Sequence, residues 1–177
     1  GRNTSMPTVE IGKNNIDDFV DTCAKKCRGQ KTTLSIIDLA EFSNTVPEKL
    51  NFFAQSISKK LTNQEFKEVS DARYTTREFA VSSKIDQVDL AHLALNMNNS
   101  EGTALSNAIK DAVKYNRTSN DINNAYGVSI YFPYRKTSSV DTACKTYNKI
   151  GMYSEYSQCI RQFASLETSG QISAGGT

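Results

Sequence analysis

Apolar residues fall at helical spacing in several stretches of this chain and collect into short β-type runs in others. Ile16, Phe19, Val20 and Cys23 recur every three or four residues and predict a first helix from about Lys13 to Cys27. Gly29, within Arg28-Gly29-Gln30-Lys31, supplies its stop, because glycine takes the left-handed conformation that ends helices. Thr32 to Ile37 then reads as a short strand. Asp38-Leu39-Ala40-Glu41 carries a helix start, with a carboxylate to accept orphan amides and a glutamate three residues on, and Asp89-Leu90-Ala91-His92 repeats the aspartate cap. Val46-Pro47-Glu48 predicts a restart into a longer helix, with proline at its tolerated first position and Leu50, Phe53, Ala54, Ile57 and Leu61 forming the stripe to be buried.

Between Phe66 and Val81 neither period is kept, which predicts a loop or an irregular short strand. Ala104, Leu105, Ala108, Ile109, Ala112 and Val113 predict a helix from about Thr103 to Tyr115, and Asn116 to Asn124 is polar turn material. Asn124-Ala125-Tyr126-Gly127-Val128-Ser129-Ile130-Tyr131-Phe132-Pro133-Tyr134 reads as a buried strand closed by proline. Two more helices are predicted over 140–150 and 154–166, the last burying Tyr156, Cys159, Ile160 and Phe163. From Glu167 the chain is small and polar and is expected to be mobile. The expected organisation is a single α/β domain over 1–166 with a flexible tail over 167–177. It should hold about five or six helices and a few short strands, at about 33–37 and 127–132.

A length of 177 residues allows one real core. Lys and Arg number 21 against 19 Asp and Glu, a net charge of +2, so no charge excess draws the chain to nucleic acid or to an anionic membrane. No window approaches the roughly 20 apolar residues of a membrane helix, and Gly1-Arg2-Asn3-Thr4-Ser5 lacks a signal-peptide core. An opening in mid-phrase is expected of a piece of a longer protein. Tyr126, Tyr131, Phe132 and Tyr134 lack the basic surroundings that a base-stacking platform needs.

Catalytic chemistry has few carriers. Cysteine catalysis needs a thiolate with a base in reach, and His92 is the sole histidine, set among Leu90, Leu93, Ala94, Leu95 and Met97 on an apolar helix that offers packing more than proton transfer. Cys23, Cys27, Cys144 and Cys159 lie in helical patterns and read as core or disulfide cysteines. Cys23-x-x-x-Cys27 without a partner pair is a poor zinc signature. Asp17 and Asp18 read as a solvated helix face. No phosphate loop, nucleophile elbow or calcium loop is present.

The run Gly127-Val128-Ser129-Ile130-Tyr131-Phe132-Pro133 resembles the region downstream of the catalytic residues in clostripain-type cysteine peptidases. Thr33-Leu34-Ser35-Ile36-Ile37-Asp38-Leu39, Ile85-Asp86-Gln87-Val88-Asp89-Leu90 and the opening Asn3-Thr4-Ser5-Met6-Pro7 and Ile11-Gly12-Lys13 add to the likeness, which covers most of the chain. The resemblance implies the helix-rich C-terminal portion of a caspase-like α/β/α sandwich in a bacterial protein that is secreted or in the cell envelope. Its parent would cleave after Arg or Lys and depend on calcium. That family carries an Asp-Ala-Cys nucleophile and a His-Gly base before this region, and no position here matches them, the acids of the specificity pocket or any calcium ligand. The expectation is therefore a chain with no catalytic, cofactor-binding or metal residues, whose partner is the N-terminal catalytic part of the parent or a second copy through an exposed apolar face. The alternatives are a self-standing interaction module with a closed polar surface, and a pseudoenzyme or cysteine enzyme using His92.

Overall fold

The computed structural model describes residues 5–26, 31–119 and 122–168, with the side chains of 5–9 and 11 left aside. Within these residues the chain is an α/β protein of seven α-helices and five short strands. The order is α1 (Ser5–Lys26), β1 (Thr33–Ile37), α2 (Leu39–Thr62), α3 (Phe66–Thr75), β2 (Glu78–Phe79), β3 (Gln87–Asp89), α4 (Leu90–Asn96), α5 (Ser100–Ala112), β4 (Val113–Thr118), β5 (Ser129–Tyr131), α6 (Val140–Lys149) and α7 (Ser154–Thr168). The strands form two antiparallel sheets, a ribbon of β1 with β4 and a three-stranded sheet in the order β2-β3-β5.

The main apolar core joins α2, α4, α5 and α7 with β3 and β5. The stripe Leu50, Phe53, Ala54, Ile57 and Leu61 of α2 is buried there as its spacing predicts. Phe163 of α7 stacks on Phe66, ring centres 4.9 Å apart, and meets Phe132 edge-on at 5.0 Å. Burying such rings contributes roughly 1.5–3 kcal/mol each. The β1–β4 ribbon lies outside this cluster, with only Val113 packed against it. It is held instead by α1, whose Asp17 and Asp21 take Arg117 of β4 at 2.9 and 2.6 Å.

Both aspartate caps form. Asp38 accepts from the amides of Ala40 and Glu41, each at 3.0 Å, and Asp89 accepts from His92 N at 2.9 Å. Asp89 has a second task, since its other oxygen takes the Tyr126 amide at 2.6 Å. Burial pushes this carboxyl up while the backbone amides pull it down. Asp89→Ala is expected to cost roughly 2–3 kcal/mol, a cap plus a stranded buried amide, read as a lower urea midpoint at unchanged slope.

Several elements differ from expectation. No break precedes Pro47: α2 runs unbroken from the Asp38 cap through the proline, whose missing N–H costs one bond that the long buried stripe outweighs. Residues 66–75, expected to be irregular, form α3, with Phe66, Val69, Ala72 and Arg73 buried on one face. Helix α5 starts at Ser100 behind an Asn99 cap and ends at Ala112, and Val113 to Thr118, expected to be helix end and turn, is strand β4. Helix α1 reaches back to Ser5, and the expected stop at Gly29 lies outside the described residues. The strand expected at 127–132 is β5 with its ladder carried on by Leu90 N to Val128 O and Phe132 N to Asp86 O, both 2.9 Å. Helix α7 runs on through Glu167 to Thr168, so of the expected tail only 169–177 lies beyond the described structure.

Candidate functional site

His92 makes no hydrogen bond to any of the described cysteines. It lies on α4, packed chiefly against α5, α3 and β3, whereas Cys23, Cys144 and Cys159 lie on α1, α6 and α7. The Arg77 amide donates to His92 Nδ1 at 2.8 Å, and the ring meets Tyr126 edge-on. That bond needs a bare Nδ1, and burial first, then Arg77, holds the imidazole below its ordinary range. Cys144 and Cys159 are buried, and burial pushes the Cys159 thiol up to about 12, opposite to what a nucleophile needs. These three thiols are free, and Cys27 lies outside the described residues. Among the described residues no three His, Cys, Asp or Glu side chains converge as metal ligands do. No described helix is long and apolar enough to cross a membrane.

The acid read as solvated is engaged. Asp17 accepts from Tyr115 Oη at 2.5 Å and from Arg117, and the Tyr115 hydrogen bond first, then Arg117, holds it below the usual carboxylate range.

The less satisfied surface is made of backbone. In the β1–β4 ladder Ser119 N donates to Thr32 O at 2.8 Å, and Asp38 N to Ala112 O at 2.9 Å. Antiparallel alternation then pairs Leu34 and Ile36 with β4 and turns the amides and carbonyls of Thr33, Ser35 and Ile37 to the opposite edge. Among the described residues no backbone group meets them there. The Ser35 hydroxyl donates to Gly127 O at 3.0 Å, and Gly127 is held at φ 102° with a Cβ position 3.0 Å from Ser35 Cβ, so glycine suits both the conformation and the close approach. Beside this edge opens a gap of about 530 Å³, walled by Leu34, Phe79, Ile85 and Val128 and floored by Gln87 and Ser129. Ile85 is half exposed at its rim.

The outer edge of β5 is capped at Tyr131. Tyr131 N donates to Tyr147 Oη at 3.0 Å and Tyr156 Oη donates to Tyr131 O at 2.8 Å, so two hydroxyls occupy the groups of this residue to which an added strand would bind. Burial pushes both hydroxyls up, which keeps Tyr156 a donor. An apolar groove of about 390 Å³ lies beyond, between Phe42, Pro47 and Leu50 of α2 and Met152, Tyr153 and Tyr156 at the α6–α7 turn.

A buried ionic cluster ties the three-stranded sheet to α3. Arg73 has no exposed surface, and it donates from Nε to Phe132 O at 3.0 Å and from Nη1 to Glu78 at 3.3 Å. Its Nη2 lies 3.5 Å from Asp86 Oδ1 without hydrogen-bond geometry, and its guanidinium covers the Tyr134 ring. Asp86, also fully buried, accepts from the amides of Tyr134, Arg135 and Lys136 at 2.9–3.0 Å. These contacts fix the loop after Pro133. Sequence reasoning missed this cluster: Arg73 stands among polar neighbours, and only the apolar Phe66, Val69 and Ala72 on its helical face mark it as inward.

No family model, curated protein or solved structure matches this chain.

Proposed function

We propose that this chain is a non-catalytic C-terminal portion of a clostripain-like cysteine endopeptidase, a protein that cleaves after Arg or Lys. In this reading it scaffolds a catalytic domain of caspase-like fold, and that domain supplies the nucleophile, the base and any calcium ligands. A bacterial secreted or cell-envelope setting follows from the same resemblance.

The observation that carries the reading is the open edge of β1. A two-stranded ribbon is marginal alone in water, and this one lies outside the main core with a row of backbone groups that no backbone group among the described residues meets, beside the gap walled by Leu34, Phe79, Ile85 and Val128. A ribbon that continues into a larger sheet accounts for both features. The separation of His92 from the described cysteines and its engaged Nδ1 support a supporting role over a catalytic one.

The test is hydrolysis of a fluorogenic peptide with arginine at the cleaved position, by this chain alone and by the protein extended upstream through its own gene. The expected result is no hydrolysis by the chain and thiol-dependent hydrolysis by the longer protein. Hydrolysis by the chain alone that is lost in His92→Ala overturns the reading in favour of a cysteine enzyme, and silence from both overturns it in favour of an interaction module.

A further inference from the structure

Glu167, the next-to-last residue of α7, carries a buried carboxylate oxygen, Oε2, with no hydrogen-bond partner among the described residues. Leaving a charged oxygen in that state is costly, whereas a protonated carboxyl tolerates it far better. The groups acting on it come from three elements: Arg73 from α3, Asp86 from the turn before β3, and Tyr134 from the loop after β5. Arg73 does not reach it: the guanidinium makes no hydrogen bond to Glu167 Oε2, and its own Nη2 is without an acceptor. Its Nε and Nη1 are committed to Phe132 O and Glu78, and Nη2 stands against Asp86. Glu78 also takes Arg135 at 3.2 Å, so two cations already balance two carboxylates. An ionised Glu167 would add a third, uncompensated negative charge next to Asp86.

We propose that Glu167 is a proton-operated latch for the last turn of α7: protonated, it lets that turn lie against the Arg73–Asp86 cluster, and ionised, it draws the turn away to water. The latch links the end of α7 to the cluster that fixes the loop after Pro133, so one proton acts on two segments far apart in sequence.

The working range follows from the same contacts. Burial first, then Asp86, raises this carboxyl from 4.5 to about 7, with Arg73 opposing. A raised acid takes up a proton on folding, so its stabilising effect is complete below the ordinary glutamate range and is lost as pH rises through about 7. Closure therefore weakens towards alkaline pH.

The experiment is hydrogen exchange of the backbone over 164–168, corrected for intrinsic rates, between about pH 5.5 and 8.5, in the wild-type chain and in Glu167→Gln. The expected result is a fall in wild-type protection of about tenfold or more with a midpoint near neutrality, and protection independent of pH in the glutamine variant, which keeps the shape of the neutral acid. A flat wild-type profile, or the same pH dependence in Glu167→Gln, overturns the latch. A carbon-13 titration of the Glu167 carboxyl in the wild-type chain serves if the variant does not fold: a midpoint near neutrality supports the latch and one in the ordinary carboxylate range overturns it.

Discussion

Arg73→Met is expected to cost about 3–5 kcal/mol, the penalty for removing one partner of a buried ion cluster. Methionine fills much of the arginine stem's volume, so the loss comes from what is left behind. Asp86 and Glu78 would lose their buried counter-charge, and Phe132 O its donor. Three amides would still hold Asp86, which keeps the cost from rising further. Against a total stability of roughly 5–15 kcal/mol, such a loss leaves a large unfolded fraction near 37 °C. Urea unfolding measures it, and the double variant Arg73→Met, Asp86→Asn should recover part of the loss because it removes a stranded charge. A cost below about 1 kcal/mol would mean that the cluster is not a structural tie.

Gly102→Ala should be nearly as damaging for a steric reason. A Cβ at this position in the first turn of α5 would stand 2.1 Å from the Ala94 carbonyl oxygen and 3.0 Å from Asn99 Oδ1. The first obstacle is backbone, so α4 and α5 must part. The second is the cap, which accepts from Gly102 N at 2.7 Å. Overpacking at its upper range plus a weakened cap gives about 3 kcal/mol, or a melting temperature lower by about 6–12 °C in a chain of this length. A thermal melt within about 2 °C of the wild type would contradict the close approach of the two helices.

The α/β class and the helical stripes of α2 and α7 were legible in the chain because their apolar spacing is regular and their buried residues are apolar. The caps at Asp38 and Asp89 were legible because residue type and position agree. What escaped was structure built from polar residues. Helix α3 buries an arginine, so its inward face does not read as apolar. Strand β4, Val113-Lys114-Tyr115-Asn116-Arg117-Thr118, is polar because its partners are β1 and α1 and not the main core. Pro47 marks a helix start only when nothing upstream already caps the helix, and Asp38 does. The open edge of β1 has no residue signature at all, since the groups concerned are main-chain amides and carbonyls.

The claim that β1 is finished by a strand from elsewhere in a longer protein is tested most directly by amide exchange along β1. In this chain alone Leu34 and Ile36, bonded to β4, should be protected while Thr33, Ser35 and Ile37 exchange freely. In the protein extended upstream, the account predicts that the same three amides slow by about a hundredfold or more, as amides newly paired in a sheet do. Exchange at Thr33, Ser35 and Ile37 that is equally fast in both proteins would contradict it.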